Sequence, residues 1–600
     1  MGIAVVALTR DGGILAQRLA AVLDDARVHG LSGRVGDADE TFTDAAGHLR
    51  ALFRGGETIV GVCATGILIR ALAPALSDKA DEPAVVAVAP DGSSIVPLLG
   101  GHRGANALAR GIADALGGHP AVTTASDTAL GVALDDPPPG WHIANPQTVK
   151  PLVAEALAGR NPALVIEAGE PDWLAALPLD RDGEWMVRVS DRKITPNPRE
   201  LVLNPPTLAV GVGCERGCSA DELVGLVRDT LDEAGLAPES VAGIFSIDVK
   251  ADEPAVHAVA EDLGVSARFM SADSLEAETP RLANPSEIVF REVGAHGVAE
   301  AAALAAAGPR SNLVVPKRKS ARATCAVARG PRVEAAKTGT PRGSLTVIGT
   351  GPGDPDYRIP ATDGALARAT DVVGYGPYLD LLEPLPREKT RHDFDLGAEE
   401  DRCRRALDLA AQGKSVVLVS SGDPGVFAMA TLVFELLDRE ARPEWQRIAV
   451  AVEPGVSAMQ LAAARAGAPL GHDFCAISLS DLLTTRQTVI ARLKAAAQAD
   501  FVVALYNPAS RTRRGLLETA RDLLLQHRPA DTPVVVARNL ARAGESVEVV
   551  SLADLRLERI DMLTMVIVGN SQSRVLAHGG HIRTYTPRGY AAKQTRRKTG

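Results

Sequence analysis

Leu345-Thr346-Val347-Ile348-Gly349-Thr350-Gly351-Pro352-Gly353-Asp354-Pro355 is an apolar segment that runs directly into a glycine-rich loop. Such an uninterrupted apolar run is typical of a β-strand covered on both faces of a parallel sheet. The glycines let the backbone after the strand adopt positive φ angles and approach a ligand closely. Pro352 breaks the dinucleotide-binding fingerprint, and no Lys-Ser or Lys-Thr pair follows for a phosphate-binding loop. The segment therefore predicts an α/β fold with a ligand site at the end of this strand.

Similar apolar segments alternate with Ala- and Leu-rich helical stretches along most of the chain. Strands separated by helices predict a multidomain protein of the α/β class. With 600 residues, of which 46% are hydrophobic and 23% charged, the chain can bury several cores, which excludes wholesale disorder. The clearest segments are residues 58–62, 84–88, 208–212, 416–419, 501–505, 533–536 and 565–568.

Charge and composition also bear on partners and location. The net charge of −10 argues against a general nucleic-acid-binding protein, whose affinity depends on a basic face. No apolar run reaches the roughly 18 residues that a membrane-spanning helix needs, so no membrane partner is expected. The N-terminus reads as a first β-strand and lacks the basic flank of a secretory signal. Six cysteines are too few for a disulfide scaffold, so we expect a cytoplasmic protein.

Connecting segments rich in proline and small residues divide the sequence, because proline cannot continue a helix or a central strand. They lie at residues 135–140, at residues 196–206 and, as a basic stretch without periodicity, at residues 316–343. They predict domains at residues 1–135, 136–205, 206–330 and 344–580, with a linker at 331–343. The last domain is expected to split near residue 450, and residues 581–600 are expected to form a basic tail.

Further loops in the C-terminal half follow the same pattern of strand and turn. Because open α/β sheets bind ligands at the carboxyl ends of their strands, we expect these loops to form one site. Together they are more specific than any one glycine loop alone. They are Ser420-Ser421-Gly422-Asp423-Pro424-Gly425-Val426, Glu453-Pro454-Gly455-Val456-Ser457-Ala458, Leu505-Tyr506-Asn507-Pro508 and Asp561-Met562-Leu563-Thr564.

With residues 373–379 and 471–481, this set resembles the class III tetrapyrrole methyltransferases, and among them the ring-contracting precorrin-3B and cobalt-precorrin-3 C(17)-methyltransferases. The resemblance implies S-adenosyl-L-methionine as cofactor, bound between two α/β subdomains, a tetrapyrrole substrate and a homodimer. Ser457 stands where the family usually has threonine, which retains the hydroxyl. Whether the substrate carries cobalt stays open. The residues that the resemblance places at the cofactor are Pro352, Gly422, Asp423, Val426, Ser457, Ala458, Tyr506, Ala537 and Thr564.

Ring contraction requires proton transfers, which suit His, Asp or Tyr side chains with a pKa near the operating pH. Asp423, Asp395, His392 and His472 are the candidates for this catalytic role. The alternative is structural: Asp423 caps the helix after its loop, and His472 is an ordinary loop histidine.

The N-terminal half carries a second glycine loop, Gly213-Cys214-Glu215-Arg216-Gly217-Cys218-Ser219, between a strand and a helix. Ser219 and Glu222 match a capping box, which predicts that the helix begins there. Cys214 and Cys218 lack the second cysteine pair of a structural zinc site, so we expect packing roles and no metal site. A further strand ends in Asp248-Val249-Lys250, and Gly101-His102-Arg103-Gly104 joins a turn to a helix.

These motifs, with Ala323-Thr324-Cys325-Ala326-Val327-Ala328-Arg329, resemble the CbiG family of cobalt-precorrin-5A hydrolases over about residues 1–330. That family opens a ring lactone and releases acetaldehyde. Catalytic candidates are His102, Glu215 and Asp248, which could activate water or move a ring proton. Substrate-binding candidates are Arg103, Arg216 and Lys250, because a macrocycle rich in carboxylates calls for local cations.

The combined prediction is a fused enzyme of corrin synthesis that methylates C(17) with ring contraction and carries a hydrolase-like module. A second hypothesis makes the N-terminal half a non-catalytic tetrapyrrole carrier. A third, a nicotinamide-dependent oxidoreductase, explains the glycine loops but is disfavoured by Pro352.

Overall fold

The computed structural model describes residues 2–23, 26–76, 82–123, 130–382, 385, 389–509 and 515–590, without the side chain of His102. The chain divides into two compact units between Arg342 and Gly343. Both consist of β-sheets flanked by helices, which confirms the α/β class. Among the described residues, no helix is long and apolar enough to span a bilayer.

The first unit begins with a seven-stranded sheet. Its strands are β1 (Ile3–Ala7), β2 (Ala26–Leu31), β3 (Glu40–Phe42), β4 (Thr58–Val62), β5 (Val85–Val88), β6 (Ser94–Leu99) and β7 (His119–Pro120). They lie in the order β3-β2-β1-β4-β5-β6-β7, and β6 runs antiparallel to β5. The helices of this part are Arg10–Ala20, Ala45–Arg54, Thr65–Leu72 and Ala105–Leu116.

A four-stranded sheet follows in the middle of the first unit. It contains β8 (His142–Ile143), β9 (Ala163–Ile166), β10 (Met186–Val189) and β11 (Glu200–Asn204), in the order β8-β11-β10-β9. Its helix is Val149–Leu157. Asp191, which is 1% exposed, accepts hydrogen bonds from Arg329 and from the Thr207 hydroxyl, so a buried ion pair joins this part to the next sheet.

The third sheet of the first unit has five strands, β12 (Leu208–Cys214), β13 (Val241–Ile247), β14 (Ser266–Met270), β15 (Asn312–Lys319) and β16 (Ala323–Arg329). Their order is β14-β13-β12-β16-β15; β12 to β14 are parallel, and β16 is antiparallel to its neighbours. The helices are Ala220–Glu233, Pro254–Asp262, Ala272–Glu276, Glu287–Val293 and Ala299–Ala307.

The helix Ala299–Ala307 packs unusually close to β12. A Cβ atom on Gly211 would lie 1.9 Å from the carbonyl oxygen of Ala299 and 2.7 Å from the nitrogen of Ala303. Only glycine fits there, and small residues on both elements let the helix and the sheet approach each other. This close packing builds a core that needs few aromatic side chains.

The second unit begins with a parallel five-stranded sheet of β17 (Ser344–Gly349), β18 (Asp371–Tyr375), β19 (Thr390–Phe394), β20 (Ser415–Ser420) and β21 (Ala449–Glu453). The order is β19-β18-β20-β17-β21. Because all strands run the same way, the loops after Gly349, Ser420 and Glu453 leave from one edge. The helices are Pro360–Arg368, Gly376–Leu379, Glu399–Ala411, Met429–Glu440 and Pro443–Gln446.

The rest of the second unit holds a mixed five-stranded sheet and a small three-stranded sheet. The first has β23 (Phe474–Ser478), β24 (Val502–Tyr506), β25 (Pro533–Arg538), β26 (Ser546–Ser551) and β27 (Thr564–Val568), in the order β23-β24-β27-β25-β26. The second has β22 (Gly467–Ala468), β28 (Arg574–His578) and β29 (His581–Tyr585). The helices are Ala458–Ala466, Arg486–Gln498 and Gly515–Leu525.

The structure corrects the predicted connecting segments at two points. Residues 316–319, predicted as the start of a basic stretch without periodicity, belong to β15, an edge strand that tolerates Pro316 and a run of basic residues. Residues 581–585, predicted as tail, form β29, which pairs with β28 and β22. Within 331–343, Thr340 forms two backbone hydrogen bonds of 2.8 Å with Phe269, so this linker packs on the third sheet.

Candidate functional site

Three loops of the second unit meet at the carboxyl edge of its parallel sheet. Gly422 donates to the carbonyl oxygen of Gly351 at 2.8 Å, and Gly351 donates back to Gly422 at 3.2 Å. A Cβ atom on Gly349 would lie 2.4 Å from the carbonyl oxygen of Gly422 and 2.9 Å from the Cα of Gly455. The three loops therefore touch through their backbones, and glycine is required where they cross.

Asp423 holds two of these loops together. One of its carboxylate oxygens accepts from the amide of Gly425 at 2.8 Å, and the other accepts from Gly455 at 3.1 Å. The following helix begins at Met429, and no side chain caps it, so the alternative that Asp423 is its cap is wrong. The side chain is half-buried and fixed by two backbone donors, which suits a positioning role more than free proton transfer.

The mixed sheet brings a second set of residues to one edge. Tyr506 ends β24, and Thr564 begins β27, which runs antiparallel to β24. Thr564 pairs with Arg538 at the end of β25, and Ala537 immediately precedes Arg538. Tyr506, Ala537 and Thr564 therefore share an edge. Ala537 is completely buried, and the Thr564 hydroxyl donates to Asp561 at 2.8 Å. These two residues therefore offer a ligand mainly backbone groups.

Tyr506 differs from the other residues of this edge because its hydroxyl is buried yet unsatisfied. Within the described part of the chain, the Tyr506 oxygen has no hydrogen bond of normal geometry, although the Ser457 side chain and the Met459 backbone lie near it. Burial raises the pKa of Tyr506, so the phenol stays protonated near neutral pH and can act as a donor. A buried orphan hydroxyl costs free energy, which a polar ligand atom would recover.

Arg542 and Phe427 connect the loops of the two sheets, and sequence reasoning missed both. Arg542, after β25, donates from Nε to the carbonyl oxygen of Pro352 at 2.7 Å and from Nη2 to the Ser421 hydroxyl at 3.4 Å. Phe427 has a φ of 52°, is 55% exposed and has its ring centroid 5.1 Å from that of Tyr506. A non-glycine residue at positive φ is strained, and such strain concentrates at ligand sites.

The remaining predicted cofactor residues lie on the same loops. Pro352 is buried, Val426 and Ala458 are half-buried, and Ser457 is 3% exposed. Ser457 caps the helix Ala458–Ala466 in a reciprocal capping box with Gln460. The spacing Ser-x-x-Gln in the sequence could have revealed this role.

The histidine candidates of the second unit lie away from these loops. His472 precedes β23, so it lies at the amino edge of the strand pair whose carboxyl edge carries Tyr506, beside Asp500 and Asn570. His392 lies within β19 and contacts Asp371 at 2.8 Å at the start of β18. Neither histidine therefore lies on the crossing loops. Asp395 is exposed and follows β19, at the carboxyl edge but on the outermost strand.

In the first unit, the predicted residues Glu215, Arg216, Asp248 and Lys250 do come together, because they follow the parallel neighbours β12 and β13. Arg216 donates to Asp252 at 2.6 Å, and Lys250 lies 3.9 Å from Glu253. Glu253 is 2% exposed and also accepts from the amide of Gly217 at 3.1 Å.

Arg322 completes this cluster and was also missed. It contacts Glu215 at 3.0 Å and donates to the carbonyl oxygens of Arg216 and Gly217 at 2.8 and 3.1 Å. It immediately precedes β16, whose antiparallel direction brings its start to the end of β12. The cations of the cluster are thus held by acidic side chains and carbonyl groups of the protein.

The predicted capping box at Ser219 is wrong, although the helix begins at Ala220 as expected. Glu222 instead accepts from the Ser320 hydroxyl at 2.5 Å and the Arg322 amide at 2.7 Å, and these bonds lower its pKa. Burial raises the pKa of Cys214 to about 11, so the thiol is protonated at neutral pH, as expected for a packing role.

The loop of His102 and Arg103 belongs to the first sheet of this unit, not to the sheet of Arg216. Gly100 and Gly104, both at positive φ, flank a short 3₁₀ turn over Gly101–Arg103. Arg103 is exposed, and the His102 side chain lies outside the described residues. The loop follows β6, which is antiparallel to β5, so it leaves from the edge where β5 begins.

Three family models match the chain. "Cobalamin synthesis G N-terminal" matches residues 47–127, "Cobalamin synthesis G C-terminus" matches residues 208–328, and "Tetrapyrrole (Corrin/Porphyrin) Methylases" matches residues 344–556. The predicted CbiG resemblance of the N-terminal half and the methyltransferase resemblance of the C-terminal half are both confirmed.

The relatives match mainly the C-terminal half. The cobalamin biosynthesis protein CobIJ of Mycobacterium tuberculosis is 48% identical over 252 residues, which is 41% of this chain and 48% of that protein, so the chain spans about half of its length. A solved structure of the methyltransferase CobJ is 44% identical, with a TM-score of 0.39, and covers 41% of this chain and 100% of its own. The precorrin-3B C(17)-methyltransferase of Sinorhizobium sp is 46% identical over 250 residues, which is 42% of this chain and 98% of that protein.

Because the chain covers almost the whole of a relative at this identity, it belongs to the tetrapyrrole (corrin/porphyrin) methylase family.

Proposed function

We propose that the second unit transfers a methyl group from S-adenosyl-L-methionine to C(17) of precorrin-3B or cobalt-precorrin-3, with ring contraction. The main support is the convergence of the loops at Gly349, Gly422 and Gly455 beside an edge that carries the unsatisfied Tyr506 hydroxyl. The names of two relatives, precorrin-3B C(17)-methyltransferase and cobalt-factor III methyltransferase, give the substrate class.

The residues fit such a donor. Bound S-adenosyl-L-methionine supplies a methyl group on a cationic sulfur, which requires alignment with a carbon nucleophile about 3–3.5 Å away. The three loops, which contact one another through their backbones, provide that alignment. Asp423 holds two of them together through its carboxylate. Tyr506 can donate one hydrogen bond at the same place, and the exposed Phe427 ring offers an apolar face to a flat macrocycle.

Proton transfer during ring contraction needs a titratable group near the substrate. His392 and His472 lie elsewhere, which leaves Asp395 and Asp423 of the predicted set on the carboxyl edge. Asp395 is exposed, and Asp423 is held by amides, so we assign the mobile acid–base role to Asp395 and the positioning role to Asp423.

For the first unit we propose a tetrapyrrole module of the CbiG type that opens the ring lactone and releases acetaldehyde. Its support is the polar cluster of Glu215, Arg216, Asp248, Lys250 and Arg322 at the carboxyl edge of β12 and β13. The cations already have acidic partners, so a substrate carboxylate would exchange with Asp252 or Glu253. A non-catalytic carrier remains the alternative for this unit.

We further propose that the protein is a cytoplasmic homodimer. Six free cysteines, four of them buried, fit a reducing compartment. Sedimentation equilibrium gives the mass directly, and a monomer at working concentration would contradict the dimer.

The decisive experiment is mass spectrometry of products from precorrin-3B and a donor with a labelled methyl group. We expect a labelled, ring-contracted product from the wild type and from Arg559→Ala, a surface control, and strongly reduced product from Arg542→Ala. Stoichiometric binding of S-adenosyl-homocysteine without any labelled product would refute the proposed substrate. Tighter binding of NADH than of S-adenosyl-homocysteine would instead favour the oxidoreductase hypothesis.

The hydrolase proposal is tested separately with cobalt-precorrin-5A and an acetaldehyde assay. We expect release by the wild type and loss of release in Asp248→Asn, with methyl transfer unchanged. Binding of the macrocycle without acetaldehyde would establish the carrier alternative.

A further inference from the structure

A histidine pair and a carboxylate meet in the first sheet, far along the chain from both polar sites described above. His29 lies in β2, Glu40 begins the edge strand β3, and His48 lies in the helix Ala45–Arg54 that follows β3. The parallel register places His29 directly opposite Glu40. Three consecutive elements therefore converge at one edge of the sheet.

The ring nitrogens and the carboxylate point at one another. His29 Nδ1 lies 2.9 Å from His48 Nε2 and 3.5 Å from Glu40 Oε2, and the other Glu40 oxygen lies 4.0 Å from His48 Nδ1. One imidazole nitrogen offers either one proton or one lone pair, so His29 Nδ1 cannot satisfy both neighbours by hydrogen bonding. A cation between the three groups satisfies all of them at once.

The two histidines are buried, whereas the carboxylate is exposed. The side chains of His29 and His48 are only 6% and 13% exposed, whereas that of Glu40 is 55% exposed. Asp39, the other acidic neighbour, accepts from the amide of Val28 at 2.7 Å.

The ring of His48 is also held in place. Phe42 stacks on it, with centroids 4.5 Å apart and planes 12° from parallel. Phe42 is two residues after Glu40 on the same strand, so both side chains face His48 from one side of β3. Preorganised rings lose little freedom when they bind an ion.

We propose that His29, Glu40 and His48 bind a divalent transition-metal ion of the zinc type. Two imidazole nitrogens and one carboxylate oxygen form a borderline ligand set, which suits Zn²⁺ or Co²⁺ and not the hard cations Mg²⁺ and Ca²⁺. Three protein ligands leave one tetrahedral position, which opens toward solvent on the exposed side of Glu40 and can hold water. This proposal departs from the sequence-based prediction of no metal site. The three residues are too far apart in the sequence to form a recognisable metal-binding motif.

The test uses the full-length, untagged protein after treatment with a chelator. Co²⁺ is titrated and followed by its visible d–d absorption, which is intense only in tetrahedral or five-coordinate sites, and Zn²⁺ is then added as competitor. We expect one equivalent of tight, Zn²⁺-displaceable Co²⁺ in the wild type. The affinity should fall about tenfold or more in His48→Gln and in Glu40→Gln.

His119→Gln is the matched control, because His119 is an exposed histidine of the same sheet outside the cluster. It should bind Co²⁺ like the wild type. Glu40 is exposed, so Glu40→Gln keeps the fold even where His48→Gln does not. Absence of intense Co²⁺ bands in the wild type, or equal bands in the wild type and in Glu40→Gln, would overturn the proposal.

Discussion

The substitution Gly349→Ala tests the convergence of loops on which the methyltransferase site depends. The new Cβ atom would lie 2.4 Å from the carbonyl oxygen of Gly422, about 1 Å inside an ordinary contact, and 2.9 Å from the Cα of Gly455. Both neighbours are backbone atoms, so no side chain can rotate away. The loops must separate, which breaks the paired hydrogen bonds between Gly351 and Gly422.

Two costs contribute to the expected loss of stability in Gly349→Ala. Overpacking of a close-packed site costs about 1–3 kcal/mol, and each lost hydrogen bond costs about 1 kcal/mol. With two hydrogen bonds lost, the total of about 3–5 kcal/mol corresponds to a fall in melting temperature of roughly 6–20 °C for a unit of this size. Loops displaced by about 1 Å should also weaken the binding of S-adenosyl-homocysteine, and they should lower the rate of methyl transfer by about a hundredfold.

Gly364→Ala is the matched control in the same unit. Gly364 lies in the helix Pro360–Arg368, where the new methyl group would meet only the flexible Arg368 side chain, at 3.4 Å. The higher helix propensity of alanine should stabilise this variant by about 0.5–1 kcal/mol. Calorimetric melting and isothermal titration measure both variants. If Gly349→Ala melts and binds like the wild type, the loops do not cross as described.

Three other substitutions are informative. Arg542→Ala should weaken S-adenosyl-homocysteine binding at least tenfold by calorimetry, while Arg559→Ala leaves it unchanged. Equal affinities of the two variants would contradict a role for the Arg542–Pro352 contact in shaping the site. Tyr506→Phe removes a buried unsatisfied hydroxyl, so the melting temperature should rise slightly while ligand affinity falls; a fall in both would point to a structural bond instead. Burial acts to raise the pKa of Asp371, but hydrogen bonds from its basic neighbours outweigh it and hold the pKa below its usual value. Its contribution to stability is therefore present above about pH 4 and lost as the pH falls through the lowered pKa. Between pH 7 and pH 3, urea unfolding should show a smaller loss of unfolding free energy in Asp371→Asn than in the wild type. The exposed control Asp473→Asn should lose as much as the wild type.

The sequence was sufficient for the features that depend on local pattern. Apolar strands, the glycine loops at Gly349 and Gly422 and the second loop at Glu215 were all predictable, because a strand followed by glycine specifies both the element and the edge. His472 could have been placed correctly by the same logic, since a residue that precedes a strand lies at its amino end.

Features that depend on distant contacts were not predictable. Arg542 and Pro352 are 190 residues apart, and nothing near either one signals the other. Pro316 and the basic residues after it suggested a connecting segment, yet the same residues are typical of an edge strand, and only the sheet order distinguishes the two. Glu222 matched a capping box, but the Ser320 hydroxyl competes for its carboxylate.

The pairing of β29 with β22 has a consequence for biosynthesis. The Thr586 hydroxyl donates to the carbonyl oxygen of Pro469 at 2.6 Å across 117 residues, and Thr584 beside it is 1% exposed. At about 5–20 residues per second, a ribosome needs on the order of ten seconds to synthesise the intervening chain. During that interval the segment after the helix Ala458–Ala466 lacks its β29 partner, which leaves a backbone edge open to chaperones and to misassembly. Expression clones that stop before residue 586 would make that interval permanent.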